Sequence, residues 1–94
     1  MAIERPISIN PGAAGATFDP NPLHARQGDQ IFWTNNDTKA HWPGLPGNPG
    51  FLMANQIAPG GDVSPVFSTL VISTLNYVCT LHLNEAGSIV IASA

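Results

Sequence analysis

Glycine and proline punctuate this chain so densely, nine of each in 94 residues, that an ordinary helix has almost nowhere to run. Proline lacks a backbone donor and glycine resists ordering, so both break helices and mark turns. Between the breakers, apolar side chains recur at every second position: Ile7 and Ile9, Leu23 and Ala25, Ile31 and Trp33, Val63, Pro65 and Phe67, Tyr77 and Cys79, Ile89 and Ile91. A period of two is the signature of half-buried strands. The pattern predicts strands over Glu4–Asn10, Pro22–Arg26, Gln30–Asn35, Asp62–Ser68, Val71–Cys79 and Ser88–Ser93, with a short extended piece at Ala16–Phe18. Gly28-Asp29 and Pro59-Gly60-Gly61-Asp62 fall where such strands must reverse. The expectation is an all-β chain of two packed sheets, a Greek-key β-sandwich, as one domain over residues 1–94.

Composition closes off several functions. The chain is 44% hydrophobic and 10% charged, which suits a compact globule and not a disordered segment or coiled coil. Arg5, Arg26 and Lys39 are scattered along a chain of formal net charge −3, so no basic stripe offers itself to nucleic acid. No apolar run approaches the roughly 20 residues that span a bilayer, and no leader pattern opens the chain. Met1-Ala2-Ile3 reads as an initiator on a mature or excised domain, expected to be monomeric.

The interval from Pro43 to Pro59 is rich in proline and glycine yet carries Phe51, Leu52 and Met53. It is expected to be an ordered loop whose apolar residues pack or dock. His24, between Leu23 and Ala25, is expected to face outward, and Trp33 to lie in the core.

Cys79 is the sole cysteine, so it forms no internal disulfide. It is followed by His82 three positions on and by Glu85 three further, while His41 follows the predicted strand Gln30–Asn35. A sandwich can bring those two loops together at one end. Two imidazoles, a thiolate and a weak further donor make a blue-copper centre; the same set can close a tetrahedral zinc site. A histidine beside a thiol can also activate it as a nucleophile, although no oxyanion-hole pattern accompanies this one. A lone buried cysteine can equally be a small apolar filler.

Trp33-Thr34-Asn35-Asn36-Asp37 followed by His41 resembles the W-x-N-N-D-x-x-x-H segment of cupredoxins, and Tyr77-Val78-Cys79-Thr80-Leu81-His82 resembles their Y-x-C-x-x-H loop. Gly28-Asp29, Phe18-Asp19-Pro20 and Pro59-Gly60-Gly61 fit weaker landmarks of the same family, whose plastocyanin- and amicyanin-like members come nearest. The resemblance implies one copper ion held by His41, Cys79 and His82, an electron-transfer role without enzymatic turnover, and an extracytoplasmic compartment. It also implies a redox partner docking near His82; Trp42, Pro43, Leu45, Pro46, Leu81 and Leu83 are placed either to form an apolar collar there or simply to pack the loops. At the axial position the family's short-loop pattern has methionine; here that position is Glu85, a harder donor that should favour Cu(II). Met53 is the other candidate axial donor, more simply read as packing. Relatives often place Asn or Thr after the first histidine; Trp42-Pro43 stands there instead, so the support around the ligands should differ.

Overall fold

The computed structural model describes residues 3–94, which form nine strands: β1 Glu4–Asn10, β2 Thr17–Asp19, β3 Leu23–Arg26, β4 Gln30–Asn35, β5 Pro43–Gly44, β6 Asp62–Val63, β7 Phe67–Ser68, β8 Ser73–Cys79 and β9 His82–Ala92. One sheet runs β2-β1-β4-β6, with β7 also on β4; the other runs β3-β9-β8-β5. β1 lies parallel to β4 and β3 parallel to β9, and the remaining pairs are antiparallel. This is the expected β-sandwich, with a single short 3-10 turn at Pro49–Phe51 among the described residues.

The alternation sets which side chains fill the space between the sheets. Ile7, Ile9, Ile31, Trp33, Tyr77 and Ile89 are all at most 1% exposed. Burying side chains of this size contributes about 1.5–3 kcal/mol apiece. Tyr77 sits edge-on to Phe18 and to Trp33, with ring centroids 4.9 and 5.4 Å apart. Such T-shaped contacts suit the ring quadrupoles. The ring of Tyr77 lies against the backbone of β9 at Gly87, where a Cβ would fall 2.5 Å from its Cζ. His24 is exposed, as the alternation of its strand requires.

Two expectations are corrected. Asp62–Ser68 is not one strand: Val63 and Pro65 are exposed and Ser64 turns inward instead. The Ser64 hydroxyl oxygen accepts the Trp33 N–H, and the Ser64 N–H donates to the Trp33 carbonyl. That exchange interrupts the ladder between β6 and β7. β9 begins at His82, six residues before the strand expected there, because the hairpin that carries Cys79 and His82 continues directly into it. Between β3 and β4, buried Asp29 accepts from the Arg5 side chain and from the Arg26 backbone N–H. Arg5, with its side chain hydrogen bond, then the Arg26 N–H, holds the Asp29 carboxyl below its usual range.

The Pro43–Pro59 interval is ordered and packs, as expected. Leu52, Met53 and Ile57 join the core while Phe51 stays 45% exposed, and the Trp42 indole N–H donates to the Met53 carbonyl at 3.1 Å.

Candidate metal centre

β4 delivers the first half of the site. It ends at Asn35, fully buried, whose side chain organises the following turn: its Nδ2 donates to the carbonyls of Lys39 and Ile57, and its Oδ1 accepts the Asp37 N–H. Gly60 and Gly61, both at positive φ, close the same turn by donating to the carbonyls of Asp37 and Asn35. Asparagine and aspartate favour such local side-chain-to-backbone bonds. The turn is then pinned by a two-way backbone exchange between His41 and Ile57.

Asp37 fixes the orientation of His41. Its Oδ2 lies 2.8 Å from His41 Nε2, and its Oδ1 accepts the Thr38 N–H. The His41 hydrogen bond, and secondly the Thr38 N–H, hold the Asp37 carboxyl below its ordinary value. With Nε2 engaged as a donor, Nδ1 is left free and faces the centre of the site.

The second half comes from the β8–β9 hairpin. Cys79 pairs with His82 across the two-residue turn Thr80-Leu81, whereas Val78 already pairs with Ala86. Leu83, Asn84 and Glu85 therefore bulge out of the ladder. In a regular strand His82 and Glu85, three apart, would face opposite sides; the bulge turns both toward Cys79.

The ligand-type atoms of His41, Cys79, His82 and Glu85 all lie within 4.8 Å of one another. Cys79 Sγ is 3.5 Å from Nδ1 of each histidine. Glu85 Oε1 is 3.0 Å from His41 Nδ1 and 3.5 Å from His82 Nδ1. His41 and Cys79 are fully buried and Glu85 is 7% exposed, while the side chain of His82 keeps 34% of its surface open. Burial, above all, pushes the Cys79 thiol up, against N–H donors led by that of Trp42.

The two loops are tied by main chain at Trp42. Its N–H reaches Cys79 Sγ at 3.4 Å, and its carbonyl accepts both the N–H and the hydroxyl of Thr80, at 2.8 and 2.9 Å. With Trp42 at this position, the tie is made by its main chain, and the Thr80 hydroxyl adds the side-chain part. Met53 belongs to the apolar core. Leu81 and Leu83 are exposed beside His82, and Trp42 and Leu45 are half-buried, but Pro43 is buried and takes no part in an exposed collar.

Two contributors went unassigned in the sequence. Asp37 stood inside the recognised motif, and its place four residues before a histidine was the available signal. The Ala16 N–H, which donates to Glu85 Oε2 at 2.8 Å, left no signal, because a backbone donor 69 positions away has no side-chain mark.

Two sheets of this topology, with a cysteine, two histidines and a carboxylate gathered at one end, define a cupredoxin-type β-sandwich. Among the solved structures similar to it are amicyanins. A reduced Cu(I) form of an amicyanin mutant at pH 4 is 22% identical over 96% of this chain and 81% of its own, with a TM-score of 0.71. Amicyanin from Paracoccus versutus (Thiobacillus versutus) is 15% identical over 96% of this chain and 80% of its own, with a TM-score of 0.73. At that identity the likeness establishes the fold. No family model matches the sequence, and no curated protein matches it either.

Proposed function

We propose that this protein is a single-domain, one-electron copper carrier, with His41, Cys79 and His82 as principal ligands and Glu85 as the axial donor. The observation that supports the reading most is Glu85 Oε1. It is a buried carboxylate oxygen without a hydrogen-bond partner, turned toward the Nδ1 atoms of both histidines. Only a proton on a histidine Nδ1 or a shared cation can pair a buried oxygen so placed, and one cation would serve it and both imidazoles together. The donor set fits copper: thiolate suits Cu(I), imidazole suits both oxidation states, and carboxylate favours Cu(II).

Bound there, copper would supply a Cu(I)/Cu(II) couple. The chain's own contribution is rigidity and insulation. His41 is held by Asp37, Cys79 by the Trp42 N–H, and Glu85 by the Ala16 N–H, so the donors move little between states. The partly open edge of His82 is the exit for the electron, and exposed Leu81 and Leu83 flank it as a small apolar contact for a transient redox partner. Neither bond-making nor turnover is asked of the site. An extracytoplasmic compartment belongs to this reading through the family resemblance alone. No helix of the described residues is long and apolar enough to cross a membrane.

A complete set of four donors also suits zinc held for storage, delivery or structure. The two readings separate in one experiment: titration of metal-free protein with one equivalent of Cu(II), followed by visible absorption and EPR and repeated for Cys79→Ser. Copper electron transfer requires an intense thiolate-to-copper band that disappears in the variant, and reversible reduction. Absence of the band, or displacement of copper by equimolar zinc, would sink it.

A further inference from the structure

The two oxygens of Glu85 have different partners, and the difference is imposed from the opposite sheet. Oε2 accepts the Ala16 N–H at 2.8 Å, whereas Oε1 has no hydrogen bond and faces the histidines. Ala16 ends the loop between β1 and β2, in the sheet that does not contain Glu85. For the loop to come this close, Gly15 adopts φ of 125°, a region side chains rarely enter. A Cβ at Gly15 would lie 3.2 Å from Glu85 Oε2, 3.4 Å from Asn84 Nδ2 and 3.6 Å from Glu85 Cγ. The backbone conformation thus favours glycine, and a Cβ there would press on the Glu85 carboxylate, which would have to give by a few tenths of an ångström.

We propose that Gly15 and the Ala16 N–H are positioning elements that hold Glu85 to a single-oxygen donor, and that this clamp selects carboxylate over amide at the axial position. The inference rests on the metal-binding reading above. With Oε2 held on the Ala16 N–H, Oε1 is the oxygen presented to the histidines, and swinging Oε2 onto the same ion would strain that bond. The clamp also sorts oxygen from nitrogen. An amide at position 85 has one acceptor; the Ala16 N–H takes it, and the –NH2 group, which has no free lone pair, faces the metal position. Turning the amide over would set –NH2 against N–H in a buried site.

The test compares copper-loaded wild type with Gly15→Ala, Gly28→Ala, Glu85→Gln and Glu85→Ala, reading the copper hyperfine splitting in EPR, the thiolate charge-transfer bands and the midpoint potential. Gly28 is the control: it too has a positive φ, of 94°, nothing crowds its Cβ position, and it sits at the end of β4 remote from His41. Gly15→Ala is expected to shift all three readouts, and Gly28→Ala to cost stability while moving none. Glu85→Gln is expected to give the same spectrum and potential as Glu85→Ala. Wild-type readouts in Gly15→Ala, or a distinct axial signature in Glu85→Gln, would overturn the clamp while Glu85 remained a ligand. Should Gly15→Ala not fold, the Gln and Ala variants decide alone. Wild-type readouts in Glu85→Ala would instead overturn axial ligation itself, and the clamp with it.

Discussion

Asp37 and His41 face one another within a single turn, carboxylate Oδ2 to imidazole Nε2 at 2.8 Å, and this contact aims the opposite ring nitrogen at Cys79 and Glu85. Asp37→Ala removes the acceptor for both His41 and the Thr38 N–H. We expect the metal-free protein to lose about 1–3 kcal/mol in urea unfolding, the cost of unpaired buried donors. Copper affinity in competition with a chelator should fall about 10–100-fold, as outer-shell losses do. Unchanged affinity would show that packing alone orients His41.

Asp29 gives the fold an acid-sensitive point far from the site. Its carboxyl is held below its ordinary value of 3.8, first by the Arg5 side chain and then by the Arg26 N–H. A folded value lower than the unfolded one means that the stabilisation is complete above the unfolded value and disappears as pH falls through the folded one. In urea unfolding across a pH series, the gap between wild type and Asp29→Asn should be widest near neutrality and close below pH 3.8. A gap independent of pH would contradict the pairing.

Gly87 permits β9 to lie directly on the Tyr77 ring. Gly87→Ala should cost about 1–3 kcal/mol through overpacking. Near-UV circular dichroism should report the displaced ring, and a variant as stable as wild type would show that the sheets separate freely here.

Leu83, 62% exposed beside His82, offers a test of the exit route that needs no partner. When two copies exchange electrons through this face, Leu83→Lys sets charge against like charge. The self-exchange rate, read from NMR line widths in mixtures of the two oxidation states, should fall roughly 10-fold or more and recover with added salt. An unchanged rate would move the exit elsewhere.

Alternation made β1 and β4 legible to the residue, because Ile7 and Ile9 on one, and Ile31 and Trp33 on the other, hold one face in the core. It failed where a polar group took the inward place, as at Ser64, and where the bulge at Leu83–Glu85 shifted the phase of β9 and hid its first half. The short strand Pro43–Gly44 leaves no such pattern, since two residues carry no period. At the site, the four side chains that the structure gathers were visible from residue type and spacing. The contacts that aim them were less so: hydrogen bonds from Ala16 and Trp42 come from main chain, and any residue type supplies an N–H.

The two parallel pairings carry a kinetic consequence. Leu23 meets Ile89, and Glu4 meets Gln30, so the chain must close long loops before either sheet is rewarded with contacts. Sandwiches with so many distant partners refold in roughly milliseconds to seconds. β9 bears His82 and Glu85 near its start and docks on β3 near its end. Laying down that one strand finishes the core and assembles the donor set together, so an incompletely folded chain should hold its thiol and imidazoles apart.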